Sequence, residues 1–456
     1  MDRKKEETEL YILTNGKLIT RDPAAKGYYE HGAVVFEGTK IVEVGEEAAL
    51  TAKYPQAEKI DAKGGVIMPA LINAHTHIYS ALARGLSIAG NNPTNFFEVL
   101  DGTWWAIDRH LTLEGTRASA DALYIDCIKQ GVTTIFDHHA SYCQIPGSLF
   151  QIAQSAKKFG VRSCLCYEVS DRDGEEKCLE AIQENADWIT YCKEHNDPML
   201  AAMFGGHALF TISDKTFDRM VAANNGRTGY HIHVSEGMND VYDSLQNYGR
   251  RPVQRLQDHG ILGEKTILGH CIHVNTAEME IIKETGTMVV NNPESNMGNA
   301  IGICPVLQLY KRGILLGMGT DAYTNDMLES IKVALCSQRS QNCLPNVGWC
   351  EVTDMLFKNN ARIGAKYFPD ELGVLKAGAA ADIIVMDYKP FTPFSDENID
   401  GHMIFGMTGR QCQTTIAAGK ILMKDRELVG IDEEAENAHI LEAAKKLWGS
   451  LNHREY

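Results

Sequence analysis

Two histidines separated by one residue, His75 and His77, end an apolar run that begins at Val66. The run is rich in β-branched residues and predicts a buried strand. Side chains two positions apart on a strand point the same way, so both imidazoles should project together from its end. Neutral imidazole is a common ligand of divalent metals and suits Zn²⁺. The pair therefore indicates a metal site, although such pairs also occur on polar surface strands.

Further ionisable residues stand where other predicted strands end. They are Asp137-His138-His139, His207, His231 to Glu236, His270 to His273, and Asp321. In a parallel barrel the carboxyl ends of all strands form one face, and that face carries the active site. We therefore expect these residues to gather there.

The middle of the sequence alternates buried-looking strands with helical stretches, which predicts βα units and a parallel sheet. Eight candidate strands begin near Val66, Val132, Val161, Met199, Thr228, Thr266, Met288 and Ile314. Eight such units predict an α/β fold, a (β/α)₈ TIM-like barrel, and 456 residues leave room for a second, small domain. A doubly wound open sheet is the alternative.

Both ends of the chain carry short apolar runs separated by turns. Asn15-Gly16 stands between two such runs and predicts a hairpin. Short apolar runs separated by turns appear again after residue 380. We therefore predict that residues 1–65 and 373–430 form one composite β-sandwich domain, and that residues 66–372, which lie between them in sequence, form the barrel. The charged run of residues 432–446 predicts a C-terminal surface helix, within residues 431–456.

Composition excludes several classes of partner. The net charge is −16 with no cluster of Lys and Arg, which argues against nucleic acid. No apolar stretch is long enough to span a membrane, and no signal-peptide pattern follows Met1. The twelve cysteines form no C-x-x-C pair and read as reduced thiols. We therefore expect a cytoplasmic protein whose partner is a small-molecule substrate.

Three imidazoles and one carboxylate suit a single divalent metal, and His75, His77, His233 and Asp321 fit that set. His231 is the alternative to His233, but the spacing to Glu236 favours His233. Zinc is the expected metal, with iron and manganese as alternatives. Such a metal keeps a position for water and lowers the pKa of that water to about 7.

The remaining residues predict acid–base chemistry. Asp321 is placed to take a proton from the attacking water, and Glu236 to protonate a substrate nitrogen if burial raises its pKa. His270 is expected to orient the hydroxide or stabilise the developing oxyanion. His273 is expected to bond locally. Candidate substrate contacts are His207, His138, His139 and Trp105. One of His138 and His139 could instead bind a second metal, or both could support the ligands, and Trp105 could belong to the core or an interface.

The ordered motifs His75-x-His77, His233-Val234-Ser235-Glu236, Gly269-His270 and Gly319-Thr320-Asp321 resemble the amidohydrolase superfamily, in particular its mononuclear-metal deaminase and chlorohydrolase-like branch. Residues 292–297 also match that branch. The segments 83–87, 104–109 and 136–141 resemble the SsnA group of aminohydrolases, which is associated with selenium-dependent molybdenum hydroxylases and purine catabolism. The resemblance covers nearly the whole chain.

The resemblance implies the same four ligands, an acid–base pair of Glu236 and His270, a substrate contact at His207, and a homodimer. Two segments depart from the branch: Gly298 stands where Lys is usual, and residues 87–93 lack the usual acidic-apolar run. Both put the substrate in doubt. No Lys stands in residues 199–207, so a two-metal site bridged by a modified lysine is not expected.

The predicted function is therefore metal-dependent hydrolysis of a non-peptide C–N bond. The expected reaction is hydrolytic deamination of a purine-, pterin- or pyrimidine-like ring by metal-bound hydroxide. One alternative is ring opening of a cyclic amidine or amide in purine catabolism. A non-catalytic scaffold that kept the barrel is the other alternative, and the filled site positions argue against it.

Overall fold

A computed structural model describes residues 9–456 of the chain. The strands are β1 Leu10–Ile19, β2 Tyr28–Glu37, β3 Lys40–Glu46, β4 Glu58–Asp61, β5 Val66–Pro69, β6 Leu71–Thr76, β7 Val132–His139, β8 Arg162–Tyr167, β9 Leu200–Ala202, β10 Phe204–Ala208, β11 Tyr230–Val234, β12 Ile267–His270, β13 Met288–Asn291, β14 Leu316–Met318, β15 Ile383–Met386, β16 Cys412–Ala417, β17 Lys420–Lys424 and β18 Glu427–Leu428.

The helices alternate with the central strands. They are α1 Glu47–Lys53, α2 Phe96–Val99, α3 Trp105–Asp108, α4 Leu113–Lys129, α5 Ser148–Phe159, α6 Glu175–His195, α7 Asp214–Asn224, α8 Met238–Tyr248, α9 Pro252–Asp258, α10 Thr276–Glu284, α11 Pro293–Gly298, α12 Val306–Lys311, α13 Met327–Asn342, α14 Trp349–Asp354, α15 Asn360–Gly364, α16 Ile399–Gly406 and α17 Glu433–Asn452.

Strands β6 to β14 form the predicted (β/α)₈ barrel, in which β9 and β10 together occupy the fourth position. All pairings within it are parallel, in the orders β6-β7-β8-β9 and β10-β11-β12-β13-β14. Two bridges join these halves, Thr76 with Asp321 and Val169 with Gly206. The sheet is therefore closed, and the open-sheet alternative is wrong.

Both chain ends contribute to a second, nine-stranded sheet, in the order β18-β17-β16-β15-β5-β1-β2-β3 with β4 beside β1. Strand β5 pairs with β1 and β15 in this sheet. The first barrel strand therefore begins at Leu71 and not near Val66. The apolar run is continuous in sequence because both strands are buried, so hydrophobicity gives no sign of the change of sheet.

The hairpin predicted at Asn15-Gly16 is wrong. Leu10–Ile19 is one strand, with Asn15 at φ 57° and irregular pairing to β2 on either side of Gly16. Asn15 adopts the left-handed conformation within a β-bulge, so the chain continues as one strand and does not reverse its direction. The two halves of β1 then pair with different parallel neighbours, β4 and β5.

The C-terminal helix α17 begins with Asp432, whose side chain accepts from Ala435 N at 3.0 Å. This helix is not only solvent-exposed, because two of its side chains hydrogen-bond to the backbone of the segment that follows His77. Trp448 Nε1 donates to Leu82 O at 2.8 Å, and Asn452 Nδ2 donates to Ser87 O at 3.1 Å. No helix in residues 9–456 is long and apolar enough to cross a membrane.

Candidate active site

Four side chains from three parts of the barrel meet at its carboxyl end. One nitrogen or oxygen from each of His75, His77, His233 and Asp321 lies within 4.8 Å of the others, and all four residues are buried. Asp321 Oδ1 lies 2.7 Å from His77 Nε2 and 3.4 Å from His75 Nε2. The structure thus brings the four predicted ligands together, with His233 and not His231 in the group.

The donor set fits a divalent metal. The buried atoms His75 Nε2 and His233 Nε2 have no hydrogen-bond partner within residues 9–456, although burial of an unpaired polar atom is costly. Burial lowers the pKa of His75 to about 3, so its imidazole is neutral, as a ligand must be. Burial opposes a charge on His77, but Asp321, Glu168 and the carbonyl of His138 together outweigh it and raise the pKa of His77 to about 9. A divalent cation would supply the positive charge that these carboxylates attract.

The closing bridge of the barrel positions Asp321. Both Thr320 N and Asp321 N donate to His75 O at 3.0 Å, which ties the end of β14 to the end of β6. Asp321 has φ 57°, and Ser235 and His270 have φ 49° and 68°. Left-handed backbone at a residue other than glycine is uncommon and collects at functional sites. Each of these three residues follows or ends a barrel strand.

Glu236 and His270 face each other beside the ligands. Glu236 Oε1 lies 3.6 Å from His270 Nε2. Burial and the negative charge of Asp321 raise the pKa of Glu236 well above its usual value, which favours the protonated carboxyl. This is the state that a general acid requires.

The hydrogen bonds of His270 assign its tautomer. His270 Nδ1 lies 2.8 Å from Asn296 Oδ1, and Asn296 Nδ2 in turn donates to Asn291 Oδ1 at 3.0 Å. Because an amide oxygen only accepts, His270 Nδ1 carries the hydrogen. Burial lowers the pKa of His270, so its Nε2 is left as an acceptor.

A carboxylate that the sequence analysis missed lies behind the ligands. Glu168 follows β8 and is 2% exposed. Its Oε1 lies 3.1 Å from His138 Nδ1 and 3.3 Å from His77 Nδ1. A carboxylate just after a predicted barrel strand was the signal that could have found it. His138 therefore lies beside Glu168, and His231 Nε2 contacts His75 Nδ1 at 2.8 Å.

The predicted substrate contacts divide into two groups. His207 lines the cavity above the ligands, which has a volume of about 20 Å³, together with Glu236, Phe96 and Trp104. Trp105 differs from the expectation: it does not line this cavity, because its indole packs against Phe97 and Phe210 with Nε1 3.5 Å from His207 Nε2. His138 and His139 also stand outside the lining. A cavity of this size holds about one water, so a ring can bind only after the lining rearranges.

Three further polar side chains have local partners. His139 Nε2 contacts Ser141 Oγ at 3.1 Å, and His273 Nε2 contacts Ile301 O at 2.8 Å. Arg84 forms an ion pair with Asp126 at 3.2 Å.

The model of the Amidohydrolase family matches residues 66–422, which is well over half of the chain. The chain belongs to the amidohydrolase family. It is a metal-dependent hydrolase that acts on C–N bonds, and the predicted deaminase and chlorohydrolase-like branch is confirmed. A second model, an imidazolonepropionase-like composite domain of bacteria, matches residues 32–57, which lie in the nine-stranded sheet.

Curated relatives match over almost their whole length. The chain is 30% identical over 449 residues to the 5'-deoxyadenosine deaminase of Methanosarcina mazei, covering 97% of this chain and 99% of that protein. It is 31% identical over 398 residues to the 5-methylthioadenosine/S-adenosylhomocysteine deaminase of Thermococcus sibiricus, covering 86% and 89%.

Solved structures share the fold. An adenosine deaminase from Xanthomonas campestris with bound zinc has a TM-score of 0.84 at 22% identity, covering 96% of this chain and 98% of that chain. The guanine deaminase of E. coli has a TM-score of 0.78 at 18% identity, covering 91% and 99%.

Proposed function

We propose that this protein is a zinc-dependent deaminase that hydrolyses the exocyclic amine of a purine-like ring, with adenine nucleosides as the first substrates to test. The observation that carries the proposal is the placement of Glu236, a buried carboxyl, in the same cavity as His77, His233 and Asp321 of the four-ligand cluster. The names of the curated relatives, which are deaminases of adenine nucleosides, support the choice of ring.

His75, His77, His233 and Asp321 would hold the metal. Bound there, it would supply a water activated for attack at neutral pH. Three imidazoles and a carboxylate suit zinc, and the related adenosine deaminase holds zinc, but the same donors serve iron and manganese. The choice of zinc is therefore part of the proposal.

The protein supplies the proton transfers. Glu236 donates its proton to the ring nitrogen next to the attacked carbon, which makes that carbon more electrophilic. The Asp321 carboxylate takes the proton that the water loses, and His270 Nε2, an acceptor that faces the same space, orients that water. The C–N bond to the amine then breaks, the leaving amine takes the proton that Asp321 accepted from the water and departs as ammonia, and the added hydroxyl returns a proton to Glu236 as it becomes the ring carbonyl.

Asp321 is held for this task by a second contact. Its Oδ2 accepts a hydrogen bond from Ser295 Oγ, while Oδ1 faces His75 and His77. One oxygen is therefore fixed by the start of α11, and the other is left for the metal and the proton. The imidazoles hold the pKa of Asp321 well below its usual value although burial opposes this, so it is ionised and able to accept.

The test combines metal content with product analysis. Purified protein should contain about one zinc per chain and release ammonia from an adenine nucleoside, while the aromatic absorbance of the ring is kept. Ammonia release with loss of that absorbance would instead indicate ring opening, as in the SsnA-like context of purine catabolism. A protein that binds no metal after reconstitution would refute the proposal.

We also propose a cytoplasmic location and a homodimer. All twelve cysteines lie in the described part of the chain and are free thiols, which supports a reducing compartment. Light scattering on the purified protein measures the assembly, and a monomer would contradict the dimer.

A further inference from the structure

Glu168 is a buried carboxylate whose ion-pair partners, within residues 9–456, are all imidazoles. Besides His138 and His77, it faces His207, with His207 Nε2 3.8 Å from Glu168 Oε2. Burial of a carboxylate is costly unless positive charge or hydrogen bonds compensate it. A residue in such surroundings has either a structural partner elsewhere or a task at the site.

The charge that would compensate Glu168 lies on the far side of His77. His77 Nε2 faces the Asp321 carboxylate at 2.7 Å, and His77 Nδ1 faces Glu168 Oε1 at 3.3 Å. Two carboxylates therefore stand at opposite nitrogens of one ring. A single divalent cation between the ligands balances the charge of both.

His77 also donates from Nδ1 to His138 O, at 2.5 Å. This contact places the ring hydrogen on Nδ1 and leaves Nε2 free to bind a metal. A histidine ligand is commonly fixed in this way, by a carbonyl or a carboxylate at its other nitrogen, and the partner makes the ligating nitrogen more basic. Here the carbonyl of His138 accepts the hydrogen of His77 Nδ1, Glu168 Oε1 places a negative charge 3.3 Å from the same nitrogen, and the ring of His138 also lies beside Glu168.

We infer that Glu168 is a positioning residue for the metal centre, which acts through His77 and His138. The inference rests on the proposed function, because it takes His77 as a ligand. Glu168 keeps His77 oriented for the metal and increases the basicity of its Nε2.

The experiment compares Glu168→Gln and Glu168→Asp with Glu184→Gln as the matched control. Glu184 is also buried, at 3% exposure, and its carboxylate accepts from Gly147 N and Leu149 N at 2.8 and 2.9 Å, away from the ligands. Zinc affinity is measured by competition with a chelator, and the cobalt-substituted proteins are compared by their visible spectra.

Glu168→Gln should weaken zinc binding by about 10- to 100-fold and change the cobalt spectrum, because the negative charge behind His77 is lost. Glu168→Asp keeps the charge and should recover part of the affinity. Glu184→Gln should bind zinc like the wild type. If Glu168→Gln does not fold, Glu168→Asp still tests the inference, since its shorter reach should weaken zinc binding by a smaller factor.

The outcomes separate this inference from the proposed function. A wild type that binds no metal refutes the proposed function. A wild type with one metal, and Glu168 variants of equal affinity and spectrum, overturns only the inference. Two metals per chain in the wild type, one of which is lost in Glu168→Gln, also overturns it, because Glu168 would then be a ligand of a second site.

Discussion

Replacement of Glu236 by glutamine should separate proton donation from metal binding. Glutamine is neutral and nearly the same shape as the protonated carboxyl that burial and Asp321 favour at this position. Its amide can still donate a hydrogen bond, but it cannot give up a proton to the ring. Glu236 also stands outside the group of four that the metal would bind.

The expected loss of rate in Glu236→Gln follows from the role of Glu236 as a general acid. General acid catalysis contributes about 10²- to 10⁴-fold to a rate, or about 3 to 5 kcal/mol of barrier. We expect kcat to fall by that factor, with metal content unchanged and KM within a few-fold of the wild-type value. The pocket keeps its charge and volume, so binding of the ground state should change little.

The assay follows ammonia release under saturating substrate, with elemental analysis of the same preparation. Glu184→Gln is again the control, since it removes a buried carboxylate away from the ligands. A parallel loss of metal and activity in Glu236→Gln would refute the reasoning, because Glu236 would then be a ligand. A rate equal to that of the wild type would show that another group protonates the ring.

Three other changes test the same site. Asp321→Asn should abolish turnover and weaken metal binding while the far-ultraviolet circular dichroism is kept, and retained turnover would contradict the proposed proton acceptor. Removal of the metal by a chelator should lower the free energy of unfolding by about 2.7 kcal/mol, relative to protein with metal at 100 times its Kd, and therefore lower the thermal midpoint. An unchanged midpoint would argue against the buried site. Gly298→Ala should raise KM several-fold with the fold intact, because the new Cβ would lie 1.9 Å from Tyr323 Oη and displace Tyr323, the chain neighbour of Ala322 in the wall of the site cavity. An unchanged KM would place Tyr323 outside the substrate path.

Much of the site was predictable because its signals are local. His75 and His77 stand two apart after a buried strand, and Glu236 follows His233 by three residues. Residue type and spacing define what such groups can do, and a barrel gathers strand ends whatever the exact register. The eight-strand pattern was equally local, since each βα unit carries its own hydrophobic periodicity.

The errors share one cause, which is that competing structures have the same local pattern. Asn15-Gly16 suits both a hairpin and a bulge, and only pairing with β4 and β5 selects the bulge. Val66 and Leu71 belong to one apolar run, although their strands lie in different sheets. Trp104 and Trp105 are adjacent and alike in chemistry. Trp105 packs against Phe97 and Phe210, and Trp104 is the one that lines the cavity.

The sequence by itself determined the family of the chain, the barrel, and the residue types that can bind a metal and move protons. Only the tertiary structure decided which carboxylate stands behind the ligand histidines. Glu168 shows the reason most clearly: its neighbours His77 and His138 come from earlier strands and His207 from a later one. A buried charge acts through what surrounds it in space, and distances between strands are set by closure of the barrel, not by spacing along the chain.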